Sequence, residues 1–349
     1  MSIRISKAPF GATAAGEAVT AWTMENDGGM TVRVLDYGGV IQSLTVPGRD
    51  GRPVDVALGY DDIAGYEAGT CCHGALVGRF AGRIGGAAYS IGGRTYTFSK
   101  NDGENHLHGT FERRLFDASV EDGSLVLRLV SPDGEGGHPG TLRLTAAYTL
   151  TEDNALVLDY RAVTDADTHI NITNHNYYNL SGHAAGDVLA HRLRIDADAV
   201  LELDTGSIPT GRLYPVGGTP FDFRTEKAIG ADIGDDNALL RACDGYDHSY
   251  VLPRRSSCDA PCGELYSPDT GITLSFGTTQ PAMHLYTGNF LETDAAPYGK
   301  GGVRYPQYGG LALESQHFPD SPNKSDFPST LLRPGEEYRE TSFYRFGVR

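Results

Sequence analysis

Four stretches of the sequence gather ionisable and hydrogen-bonding side chains at spacings that could do chemistry. "NITNHNYYNLSG", residues 171–182, sets His175 between Asn174 and Asn176 and follows it with Tyr177 and Tyr178. "LALESQHFPDSPN", residues 311–323, is an apolar run that delivers Glu314, Gln316 and His317 into a Pro/Asp turn. A carboxylate directly ending a buried apolar strand has lost much of its water, which makes Glu314 a candidate general base. "DGYDHSYVL" brings Asp247 and His248 into a strand, and "GRFAGRIGGAAYSIGGRTYTFSKNDGENHLHGT" supplies Arg79, Arg83, His106 and His108.

Each cluster has a plainer reading. His175 could be a sheet-edge histidine satisfied by its asparagines, Glu314 a strand-end partner of Arg or Lys, and Asp247 the head of an Asx-turn. His106 and His108 are two apart, so on a strand they would face the same way, and with Glu112 they spell the His-x-His-x-x-x-Glu ligand spacing of a cupin metal site. Against a metal, cupin flanks would carry glycine where this chain has Lys100 and Ser119, and a fourth ligand has no clear candidate. Cys243, His248, Cys258 and Cys262 could formally make a zinc site, but Cys-x-x-x-Cys in a hairpin loop is weak support for one. The stretch "VLPRRSSCDAPCGE" around it matches no motif.

The elements that must position these groups are strands. Period-two alternation runs through "LVLRLV", with Leu125, Leu127 and Leu129 on one face, and returns after a Pro/Gly loop with Leu142 and Leu144 against Arg143 and Thr145, which predicts a hairpin. In "HRLRIDADAV", Leu193, Ile195 and Ala197 are expected inward and Arg192, Arg194, Asp196 and Asp198 outward. Asn171 to Leu180 is expected as a strand running into a turn, with Thr173, His175 and Tyr177 on one face and Asn174, Asn176 and Tyr178 on the other. Forty-five glycines and eighteen prolines punctuate the chain with turn signals. The one helix-like window, "EKAIGADIGDDNALLRAC", contains two glycines and promises no more than a short helix. With no linker, composition break or repeat, residues 1–349 are expected to form a single all-β domain.

Whole-chain figures narrow the ligand. A net charge of −16 argues against a nucleic-acid or anionic-membrane partner and against phosphorylated substrates, and suits a neutral small molecule. Five cysteines, an odd number, do not form a disulfide framework, the start lacks an apolar signal-peptide core, and no window approaches 18 consecutive apolar residues. A cytoplasmic protein is expected. Sites assembled from separate strand ends suit a sugar, whose hydroxyls point in every direction and need Asn, Asp, Arg and His partners, with Tyr177 or Tyr178 for its C–H faces.

In order along the chain, "GRFAGRI", "NHLHG", "DGEGGHPG", "NHNYYNLSG", "YDHSYVL", "YTGNFL" and "LESQHFPDSPN" resemble the successive motifs of the aldose 1-epimerase family, the galactose mutarotases, over residues 30 to 346 or so. The resemblance implies a large twisted antiparallel β-sandwich of the galactose mutarotase-like supersandwich type, with only short helices. It implies interconversion of the α and β anomers of free hexoses such as galactose or glucose, without cofactor or metal, by a monomer or weak homodimer. It also implies Glu314 as base on the anomeric hydroxyl, His175 as acid at the ring oxygen, and Arg83, His108 and Asp247 as sugar-binding residues. His284 stands where many members carry a sugar-contacting glutamine and is expected to hydrogen-bond the sugar in its place; Thr110 stands where a second glycine is usual and Gly82 where an asparagine often sits, so these positions bear on substrate preference. The chemistry is consistent with that division, since ring opening needs one group to remove the O1 proton and another to protonate O5. A non-catalytic carbohydrate-binding protein and a cupin-like metal enzyme using His106 and His108 are the alternatives. The first has no use for an acid and a base together, and the second needs bound metal.

Overall fold

The computed structural model describes residues 3–253, 258–291 and 296–349. Strand alternation becomes three principal antiparallel sheets. Nine strands follow the order Asp117–Glu121, Ser124–Ser131, Leu142–Leu150, Ala155–Thr164, Tyr338–Val348, Ile272–Thr278, Gly263–Tyr266, Arg192–Ile195 and Lys227–Ala228. Six follow the order Tyr177–Tyr178, Leu311–Gln316, Ala282–Tyr286, Asp247–Val251, Ala199–Leu203 and Pro209–Pro215. Five sequential strands between Arg4 and Asp55 make the third. The α-helices among the described residues are two short pieces, Ile63–Ala68 and Ala238–Ala242. The second is the α-helix that the glycine-broken window yields, beside a single 3-10 turn at Ile229–Ala231.

The predicted hairpin forms, with Leu125 opposite Tyr148 and Ser131 opposite Leu142. Leu125, Leu127, Leu129, Leu142, Leu144, Leu193 and Ile195 are buried on one face of the nine-stranded sheet. There they join a core that also takes Met24, Val32 and Leu44 from the five-stranded sheet, and Tyr178, Tyr250, Met283, Leu285, Leu311 and Leu313 from the six-stranded one. The sheets are thus layered against one another, as alternating apolar faces require.

The six-stranded sheet has a second face with different business. Because successive side chains point to opposite sides, burying Leu311 and Leu313 turns Ala312, Glu314 and Gln316 the other way, and burying Met283 and Leu285 does the same to His284 and Tyr286. Antiparallel register then aligns the rows: His284 stands opposite Glu314 and also opposite Ser249, while Tyr286 stands opposite Asp247 and Ala312.

Residues 171–180 depart from the single strand expected. Two short pieces form instead, Thr173–Asn174 paired with Leu76–Val77 and Tyr177–Tyr178 paired with Leu311 and Ala312. The chain changes partners between them, and His175 N–H donates to Ala75 O. The asparagines make the change possible by satisfying backbone groups that no ladder serves. Asn174 Nδ2 donates to Gly74 O, Asn179 Nδ2 to Gly186 O and Gly309 O, and Asn171 Nδ2 to Ala81 O. The face alternation expected around Tyr177 survives, with His175 and Tyr177 toward a cavity and Tyr178 in the core.

Candidate active site

The second face of the six-stranded sheet is the floor of a cavity of about 300 Å³, at the small end for small-molecule sites. Glu314, His284, Asp247, Ser249, Gln316, Tyr286 and Tyr177 line it from the strands. Segments outside this sheet bring His175, Arg83, His108, Cys71 and Cys72 over it, Arg83 from a short strand paired with His106–Leu107. All seven residues singled out as catalytic or sugar-binding therefore meet in one place.

At its centre His175 Nε2 lies 3.4 Å from Glu314 Oε1, with both side chains almost wholly withdrawn from solvent at 6% and 2% exposure. Glu314 Oε2 and His175 Nδ1 are buried with no hydrogen-bond partner among the described residues. Buried polar atoms normally find partners, so an acid–base pair with spare capacity is a site poised for a polar ligand. His175 is held in place by aromatic contacts: its ring centre is 4.9 Å from Tyr177, 5.2 Å and edge-on from His108, and 6.5 Å from Tyr286. Tyr177, expected as a face for sugar C–H groups, is 2% exposed and backs the His175 ring.

Around the pair stands a ring of matched charges. Arg83 Nε donates to Asp102 Oδ2 at 2.6 Å and its Nη1 lies 3.6 Å from Asp247 Oδ2. His284 Nε2 is 2.7 Å from Asp247 Oδ1, and its Nδ1 is 2.9 Å from Ser249 Oγ. Burial would raise the Asp247 pKa, but the His284 hydrogen bond, the His284 charge and Arg83 reverse this and hold the carboxyl well below the usual carboxylate range. For His284 burial works downward, and the Asp247 hydrogen bond and charge, helped by Glu314, outweigh it so that the net shift is upward. Burial, reinforced by His175 and Arg83, pushes His108 well below the ordinary histidine value. A neutral His108 whose Nδ1 accepts from Gly82 N–H at 3.3 Å carries its proton on Nε2, which leaves a donor for a ligand.

His106 and His108 do not share a face. The strand stops at His106–Leu107, and His108 takes φ 70°, in the left-handed region, which breaks the alternation the cupin spacing relies on. His106 packs against Phe98 and its Nδ1 lies 2.8 Å from Ser99 O, away from the cavity that His108 lines. Among the described residues, no group of three or more His, Cys, Asp or Glu is arranged to hold a metal ion. His248 packs on Phe221 and Cys262 lies in the core, so the formal zinc set is not brought together, and residues 254–257 of that stretch lie outside the described ones. Arg79 is buried structure: its guanidinium donates to Pro139 O, Gly140 O and Ser131 Oγ. Thr110 is outside the cavity lining, whereas Gly82, at φ 77°, lines it beside Pro319.

Sequence reasoning missed Ser249, Tyr286 and Asp102. The first two carried a signal, since each lies two residues beyond a recognised site residue on the same strand and must share its face. Asp102 carried none, because its partner Arg83 is nineteen residues away, across the hairpin of Ala88–Ile91 and Arg94–Thr97.

The family model for aldose 1-epimerase matches residues 20–345. The chain is 37% identical to galactose mutarotase of Bos taurus over 350 residues, covering 99% of each, and 37% identical to aldose 1-epimerase of Escherichia coli K12 over 338 residues, covering 95% and 96%. Its fold superposes on galactose 1-epimerase from Lactobacillus acidophilus with a TM-score of 0.86 at 29% identity, over 99% of both chains. An aldose epimerase homologue from C. elegans gives 0.85 at 30% identity, over 93% and 97%. In sequence and in the layering of its sheets alike, the chain belongs to the aldose 1-epimerase family of isomerases.

Proposed function

We propose that this protein interconverts the α and β anomers of free hexoses such as galactose or glucose, with Glu314 as base and His175 as acid. The observation that carries the reading is the buried Glu314 carboxylate on the cavity floor with the His175 imidazole 3.4 Å from it, each with an atom that has no hydrogen-bond partner among the described residues. Glu314 takes the proton from O1 as the C1–O5 bond breaks. The electron pair leaves with O5, which receives a proton from His175 Nε2, and C1 becomes an aldehyde. Rotation about C1–C2 presents the other carbonyl face, and reclosure runs the same transfers backwards. No proton is gained or lost over the cycle, so none of these steps calls on a cofactor or metal.

The surrounding charges favour a neutral substrate. Arg83 is matched by Asp102 and Asp247, and His284 by Asp247, so these cations are already neutralised and a phosphate would find little to bind. Arg83, His108 and Asp247 offer two donors and an acceptor to sugar hydroxyls. The names of the relatives in cattle and E. coli support galactose and other aldoses as substrates. The net charge of −16 and the lack, among the described residues, of any helix long and apolar enough to cross a membrane fit our placement of the protein in the cytoplasm. We take residues 1–349 to work there as one domain, monomeric or weakly dimeric.

Polarimetry of freshly dissolved α-D-galactose and α-D-glucose tests the reading. Decay of rotation well above the spontaneous rate is expected. A protein that binds either sugar without accelerating the decay would be a carbohydrate-binding module instead.

A further inference from the structure

His284 has no hydrogen-bonding nitrogen to spare. Nε2 is 2.7 Å from Asp247 Oδ1 and Nδ1 is 2.9 Å from Ser249 Oγ. Only its faces and C–H edges remain for a ligand. Asp247 and Ser249 sit two apart on one strand, so both point into the cavity, and His284 on the neighbouring strand bridges them. We propose that His284 is a positioning residue, fixing the Asp247 carboxylate as an acceptor and the Ser249 hydroxyl as a donor for two hydroxyls of the sugar, and that Ser249 is itself a sugar contact. This deepens the hexose reading and rests on it.

Direction of the hydrogen bonds is what makes Ser249 useful. With both ring nitrogens protonated, Nδ1–H donates to Ser249 Oγ and leaves the serine hydrogen free to point into the cavity. Once Nδ1 loses its proton, the serine must turn and donate to the ring, and the sugar loses a donor. The charged and titratable groups that face His284 are Asp247 on one neighbouring strand, Glu314 on the other with His175 beyond it, and Arg83 and His108 from the segments that cover the cavity, while His248 acts on it through charge from the opposite face of the sheet. Asp247 and Glu314 favour the protonated ring, Arg83 and burial oppose it, and the balance lies upward. The switch in Ser249 is therefore expected on the alkaline side of the ordinary histidine range.

Calorimetric titration with D-galactose from pH 6 to 9 reads this without turnover. For the wild type the dissociation constant should rise about five- to tenfold across that range, the loss of one hydrogen bond. Ser249→Ala should bind about five- to tenfold more weakly at pH 6 and lose the pH dependence, and His284→Gln should also flatten it. In turnover, both losses should fall on KM rather than kcat. The double variant should be little worse than either single one, because the two residues act as a unit. A Ser249→Ala protein that binds like wild type at pH 6, or keeps the wild-type pH dependence, overturns the proposal, as does a His284→Gln protein that loses kcat while keeping affinity. A wild type that is active but whose affinity is flat in pH overturns this inference alone. One that neither binds nor isomerises hexoses overturns the hexose reading beneath it.

Discussion

Glu314→Gln removes one proton-accepting oxygen and changes almost nothing else. The side chain is 2% exposed on a strand whose neighbours Leu313 and Ser315 point into the core, so an isosteric amide leaves packing and register intact. An amide can still hydrogen-bond the anomeric hydroxyl but cannot take its proton. General-base assistance contributes about 10² to 10⁴ in rate, so kcat should fall by that factor, or roughly 3 to 5 kcal/mol of transition-state stabilisation. KM should change by no more than about threefold, since the ground-state hydrogen bond has a substitute. Initial rates of polarimetric decay against α-D-galactose concentration, between pH 5 and 9, separate the two constants. A variant that keeps near wild-type kcat across that range removes Glu314 as the base, and one whose loss falls on KM alone makes it a binding residue.

His175→Asn should cost a similar factor in kcat, and the double variant with Glu314→Gln should lose less than the product of the single losses, because both groups act in one transition state. Multiplicative losses in a polarimetric double-mutant cycle would show that they act independently. Turnover should survive exhaustive dialysis against EDTA, whereas activity lost on chelation and restored by Zn or Mn would require a metal role that the separated His106 and His108 do not suggest. Stability should fall as pH drops from about 6.5 toward 4, because burial holds His248, His169 and His191 down near 4 and His73 near 3 in the folded state, while the unfolded chain protonates its histidines near the ordinary value of about 6.5. In that window the unfolded state binds more protons, so the urea midpoint should be lower at pH 5 than at pH 7.5; an equal or higher midpoint at pH 5 contradicts the neutral burial of these rings.

What could be read from the sequence was whatever alternation controls. Glu314 and Asp247 stand on regular strands, and their face follows from Leu311, Leu313 and Tyr250 being apolar. The Leu125 to Leu144 hairpin and the short helix at Ala238–Ala242 were legible for the same reason: period and glycine content act locally. Alternation fails where the backbone leaves the β region. His108 at φ 70° reversed the expected face of a His-x-His pair, and residues 173–178 changed partner strands halfway. Nothing local announces such breaks, because they go with contacts far off in sequence: Ala75, Gly74 and Ala312 for residues 173–178, and Gly82 for His108. Pairing of Arg83 with Asp102, and the engagement of both His284 nitrogens, likewise depend on tertiary geometry.

The six-stranded sheet spends one face on the core and the other on the cavity, so tolerance to mutation should be written along its strands in alternation. In a saturation scan of residues 311–316, substitutions at Leu311 and Leu313 should deplete the protein from the cell, while those at Glu314 and Gln316 should leave abundance intact and remove or retune activity. On Asp247–Val251 the parity reverses, with Asp247 and Ser249 as the activity positions and His248 and Tyr250 as the abundance positions. Such a division lets new substrate preferences be tried at the cavity face without renegotiating the fold. A one-residue slip of any of these strands, by contrast, would exchange the two sets of side chains and forfeit both at once.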